Sequence, residues 1–179
     1  MGYLLIEEDL YYGYPITEWP DKFSDISLKS GHYLTLNIKE PLVFETKCPP
    51  DEFPGHNFLH DCIPVCSQLM VNIFKAAGID NFQIFPAILI NKEKGVTWKD
   101  YYAFNAVGLI DAANRDKSEV FEIMLGDEDG GMPALVNYEK LIIDPKRVGG
   151  MYMFRELRSL DLVFDDRVEE QFKKLCIQP

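Results

Sequence analysis

"VCSQLMVNIFKAAGI" at residues 65–79 and "VFDDRVEEQFKKLCI" at residues 163–177 align without a gap. Val65 stands against Val163, Ser67 against Asp165, Phe74-Lys75 against Phe172-Lys173, and Ile79 against Ile177. Each segment reads as a short apolar strand end, a capping side chain and about three turns of amphipathic helix. In the first, Leu69, Met70, Ile73, Phe74 and Ala77 fall at helical spacing, and Gly78 is the stop. In the second, Val168, Phe172 and Leu175 or Cys176 make the apolar stripe, and the charges form a solvated face. The cap satisfies orphan N–H groups, and a phenylalanine near the helix end plugs a sheet. Any strand-to-helix junction also converges on this pattern, so the match speaks for architecture and not for chemistry.

Around these two units the chain alternates short extended runs with turns. "YLLI" (3–6), "YLTLNI" (33–38) and "LVFE" (42–45) read as strands. "YYGYPITEWPDKF" (11–23) reads as irregular surface chain with aromatic anchors, and "TKCPPDEFPGHNFLHDC" (46–62) as a long loop. "FQIFPAILI" (82–90) is too apolar to face water on one side, so it reads as a largely buried strand with Pro86 at a bulge or an edge. "NKEKG" turns it into "KDYYAFNAVGLIDA" (99–112), which makes residues 82–112 a hairpin. "VFEIML" (120–125) and "ALVNYEKLIID" (134–144) flank the turn "GDEDGGMP", and "MYMFRE" and "LDLVF" add two short strands. The order predicts an α+β fold, a mostly antiparallel sheet with a few packed helices. Regular βαβ alternation is missing, which disfavours a doubly wound nucleotide-binding fold. One domain is expected over residues 1–179, with an irregular part at 1–61 and a core at 62–179.

The charge balance narrows the function classes. The chain carries 29 acids against 18 bases, a formal net charge of −11. Such a surface repels nucleic-acid backbones and anionic membranes, and no Lys/Arg cluster offsets it. It suits a basic protein partner, and it also suits plain solubility. The four cysteines are Cys48, Cys62, Cys66 and Cys176, with no C-x-x-C pair. "MGYLLIEEDL" lacks a basic start and a long apolar run, so a cytoplasmic location with reduced thiols is expected.

Candidate chemistry mostly fails on spacing. "HNFLHDCIPVC" gathers His56, His60, Asp61, Cys62 and Cys66. His56 follows "FPG", so His56 and His60 need not share a face, and Pro64 separates Cys62 from Cys66. Closed zinc sites use tight pairs with two to four intervening residues, and these recur in two halves, which this stretch does not supply. In "GDEDGG", a calcium-loop frame putting Gly130 sixth makes Leu125 first and Val136 last, and neither can ligate. No G-x-S-x-G or phosphate-binding glycine loop is present, and Ser67 is better explained as a helix cap. No metal or cofactor is expected, and weight shifts from enzyme to binding protein.

Four stretches resemble a known family: "IPVCSQLMVNIFKAAGIDNFQIFPAIL" (63–89), "YYAFNAVGLIDA" (101–112), "LIIDPKRVGGMYMFRELRS" (141–159) and "LVFDDRVEEQFKKL" (162–175). Together they are similar to the eleventh immunity family of bacterial polymorphic toxin systems. The likeness covers residues 62–177, and its most specific pieces are the YYAFNAV strand and Gly150 with Phe154-Arg155. The chain departs from the family at Asp165, where serine is commoner, and either residue can cap a helix. The resemblance implies a cytoplasmic bacterial protein that binds a cognate, basic toxin and occludes its active site, with no catalysis of its own. Asp127, Glu128 and Asp129, with the aromatics Tyr11, Tyr12 and Tyr14, are the candidate contacts. The competing readings are a small metal-assisted enzyme built on the His56–Cys66 loop, and an adaptor domain for another partner.

Overall fold

A computed structural model describes residues 2–5, 14, 16–18, 20, 27–58, 63–124 and 135–174. In chain order the elements are β1 (Tyr3–Leu5), β2 (Ile16–Glu18), β3 (Leu42–Thr46), β4 (Asn57–Phe58), β5 (Val65–Ser67) and α1 (Gln68–Ala76). Then come β6 (Phe82–Asn91), β7 (Val96–Ala106), β8 (Leu109–Ile110), β9 (Glu119–Met124) and β10 (Leu135–Lys140). β11 (Met153–Glu156), β12 (Leu162–Asp165) and α2 (Arg167–Lys174) close the order. The fold is α+β. One sheet runs β2-β3-β6-β7-β5-β4, a second runs β1-β12-β11-β8, and β9 with β10 forms a third. Pairing is antiparallel except for β3 with β6 and β8 with β11.

The two aligned segments occupy equivalent places. β5 lies between antiparallel β4 and β7, and β12 lies between antiparallel β1 and β11. Each hands the chain directly to a helix, and α1 packs against α2. Ser67 is the N-cap of α1, its side chain accepting from the Met70 N–H. At the other end Gly78 has φ +79°, and the Ile79 N–H reaches back to the Phe74 carbonyl at 2.9 Å. That left-handed stop is what the glycine supplies. Asp165 accepts from the Arg167 N–H at 3.2 Å, one position earlier than Ser67 relative to its helix. α2 therefore starts one residue late against the alignment. Val168 and Phe172 face inward as the sequence predicts, while Leu175 and Cys176 lie outside the described residues.

The central core explains why β6 and β7 are so apolar. Phe104 and Ala106 of β7 face one cluster with α1, α2, Met153, Leu162 and Phe164. Tyr101 and Ala103, with Phe85, Ala87 and Leu89 of β6, face a second cluster with Leu42, Phe44 and Leu28. Both faces of the sheet are thus covered there, as the composition of "FQIFPAILI" demands. The β6–β7 hairpin forms as expected. Pro86 is not at an edge, because β6 is flanked by β3 and β7. The β3 ladder starts only at Ala87, so the proline's missing N–H is not needed. The irregularity lies just past it, between Ala87 and Leu89, where Asp100 of β7 takes φ +65°.

Two expectations are corrected: within 11–23, read as irregular surface chain, Ile16–Glu18 pairs with β3 and buries Ile16, and the strand expected at 33–38 does not form. Residues 33–38 form no ladder, although Leu34, Leu36 and Ile38 pack on the second cluster with the expected alternation. The segment lies over the sheet face instead of joining its edge. The Gln83 side chain does a strand's work there: its amide donates to the Leu34 carbonyl at 2.8 Å, and its oxygen accepts the Leu34 N–H at 2.8 Å. Asn105 donates likewise to the His32 carbonyl at 2.8 Å. Period two reports a half-buried extended chain, and it does not say whether the partner is backbone or side chain.

Candidate functional site

β9 and β10 pair as the sequence predicts, and they stand apart from the other sheets. The hairpin grows from a rooted stem. The Asn114 N–H donates to the Ile142 carbonyl at 2.7 Å, and the Asp144 N–H to the Ala112 carbonyl at 2.8 Å. Ser118 Oγ donates to the Ile142 carbonyl and accepts the Ile142 N–H. Ala112 sits in a core with Val148, Phe154 and Val163. Further out, Val136 of β10 is buried, and its N–H donates to the Arg158 carbonyl at 2.8 Å. β10 is thereby fixed to the body, and β9 is the outer strand.

Every residue of β9 is exposed. Its apolar side chains are Val120, Phe121, Ile123 and Met124, with Phe121 at 76% and Ile123 at 55% exposure. An outer strand of this kind is normally short, charged or covered, because it otherwise recruits other chains. Here the charges sit between the apolar residues. Glu119 lies 3.5 Å from Lys140, and Glu122 Oε2 accepts from Asn137 at 3.5 Å. With Glu139 the two strands carry three acids and one base. The apex joining them contains Asp127, Glu128 and Asp129, which lie outside the described residues. The sequence makes "VFEIML" a strand, but nothing in its pattern says that both of its faces meet solvent.

The other anticipated residues fall elsewhere. Tyr11 and Tyr12 lie outside the described residues. Tyr14 is half-buried against the 49–55 loop, its hydroxyl donating to Glu52 and its N–H to the Pro54 carbonyl. That bond to Glu52 pushes its phenol up to about 12. His60, Asp61 and Cys62 lie outside the described residues, so their meeting with His56 and Cys66 is not described. His56 does meet Ser67, Nδ1 to Oγ at 3.0 Å, and its backbone carbonyl accepts the Ser67 N–H at 2.8 Å. Burial lowers the imidazole from its ordinary value, so it stays neutral at pH 7. Burial also pushes the Cys66 thiol up to about 12, which keeps it protonated and a poor ligand or nucleophile. His56 and Ser67 together form a latch between loop and helix cap, a contact the spacing did not reveal.

The described residues thus define an α+β chain with an exposed, apolar, acid-flanked arm. The chain belongs to the immunity protein family (Imm11), which it matches over residues 22–177. The match reaches back past the four quoted motifs to β3 and the extended segment over the sheet face. It makes the chain an immunity protein. No curated protein matches it. Among the described residues no helix is long and apolar enough to cross a membrane.

Proposed function

We propose that this immunity protein neutralises a cognate bacterial toxin by binding it and covering its active site, in the cytoplasm of the producing cell and with no chemistry of its own. The observation that carries this reading is the exposure of every β9 residue on a firmly rooted arm. An apolar strip of this size on a single outer strand fits a surface that is covered in use. Family membership supplies the partner class. The net charge of −11 favours a basic toxin, since opposite potentials steer encounter. The core shared by both larger sheets and both helices supports residues 1–179 acting as one domain.

In this reading the acidic apex Asp127, Glu128 and Asp129 steers, and the β9 side chains hold. Tyr11, Tyr12 and Tyr14 are second candidate contacts, with Tyr14 offering its ring because its hydroxyl is already engaged. The test is association kinetics against the toxin encoded beside this gene. Neutralising the apex with the triple substitution D127N, E128Q and D129N is expected to slow association by about tenfold at low salt and to flatten the salt dependence. Dissociation should change little. Unchanged association, or full binding after deletion of residues 126–131, would remove the apex from the interface.

A further inference from the structure

The β9–β10 register slips twice. Glu122 pairs with Asn137, and Val120 pairs with Tyr138, so Phe121 has no partner between them. A second slip follows between Tyr138 and Lys140, leaving Glu139 unpaired on the other strand. Bulges of this kind do two things. They bend an outer strand so that it templates further strands poorly, and they re-aim the extra side chain. Phe121 is the extra side chain here, and at 76% it is the most exposed large hydrophobic residue among those described. Ile123, Val120 and Met124 surround it in sequence at 55%, 45% and 43% exposure.

We infer that Phe121 is the anchor of the arm, inserting into an apolar pocket of the cognate toxin whose rim carries lysine or arginine. The inference rests on the toxin-binding reading and names the residue and the partner chemistry it requires. Buried aromatic anchors dominate binding energy when a ring of weaker contacts excludes water around them. Ile123, which shares the face of Phe121 by strand alternation, supplies part of that ring. Glu119 and Glu122 flank the anchor on the same strand and outnumber the one base beside them, Lys140, so a cationic pocket rim suits them. The same two carboxylates argue against a second copy of this chain as occupant. Two arms laid together would bring acids toward acids, on chains that each carry −11. The bulge argues against simple strand addition, because it interrupts the run of regular backbone that an added strand needs.

Calorimetric titration of the adjacent-gene toxin with the full chain, Phe121→Ala, Phe121→Leu and Glu122→Gln tests this. Phe121→Ala should weaken binding by about 30-fold or more, with Phe121→Leu between it and the parent. Its melting temperature should not move, because the ring is exposed. Glu122→Gln should weaken binding less and reduce its salt dependence. Parent-like affinity of Phe121→Ala, while the parent chain binds, overturns the anchor and leaves toxin binding standing. No binding by the parent chain overturns both. A dimer of the free chain that Phe121→Ala dissolves would put a second copy in the toxin's place and overturn the assigned occupant.

Discussion

Replacing Phe74 with alanine is expected to lower the free energy of unfolding by about 3–5 kcal/mol. The ring stacks on Phe164 of β12 at 5.3 Å between centroids and 9° between planes. It also meets Phe104 of β7 at 5.2 Å and Phe82 of β6 at 6.1 Å. One side chain on α1 therefore joins the six-stranded sheet to the four-stranded one. Removing it leaves a cavity between elements that are each anchored elsewhere and cannot collapse together, which is the costly case. Domains of this kind have only about 5–15 kcal/mol in hand, so the variant should be near the edge of folding. Urea denaturation at 25 °C measures the loss. A change under about 1 kcal/mol, within the range of conservative core swaps, would mean that the sheets hold together without this ring.

Asp165→Ala should cost about 2–3 kcal/mol, and Asp165→Asn clearly less. The carboxylate is buried, and its Oδ1 accepts from both the backbone N–H and Nε of Arg167, at 3.2 and 2.7 Å. The Arg167 guanidinium lies over the Tyr152 ring at 3.5 Å. Alanine removes the acceptor at the start of α2 and leaves that cation without its acid. Full burial of the pair would raise the cost, but Arg167 keeps 31% of its side chain exposed and can turn to water. Asparagine keeps an acceptor for the helix and loses the charge, so it isolates the ion pair from the cap. Thermal melts of both variants separate the two contributions. Equal losses would show that the charge, and not the capping oxygen, does the stabilising.

Much of this fold was legible because local chemistry and tertiary context agree. Ser67, Gly78 and the spacing of Ile73 and Phe74 specify α1 from within. The β6–β7 hairpin is marked by its turn and by runs that only a doubly covered sheet accommodates. Where context decides, the sequence was ambiguous. Residues 33–38 carry a strand's alternation, but Gln83 and Asn105 side chains take the hydrogen bonds a neighbouring strand would make. Pro86 marked an irregularity without revealing that its strand is central. The acidic run at 127–129 stands out in the sequence, whereas the strand before it does not, because an apolar run ordinarily signals core. Exposure of Phe121 follows from β9 pairing with β10 alone, outside the two larger sheets, which no reading of β9 by itself contains.

If the chain is a stoichiometric blocker whose arm covers a toxin, one titration tests that most directly. Toxin activity is followed while the purified chain is added, with the Phe121→Ala variant run in parallel. The expected result is activity falling linearly to zero at one equivalent of the parent chain, with a large excess of the variant needed for the same effect. Toxin that stays fully active under saturating chain would contradict neutralisation by occlusion.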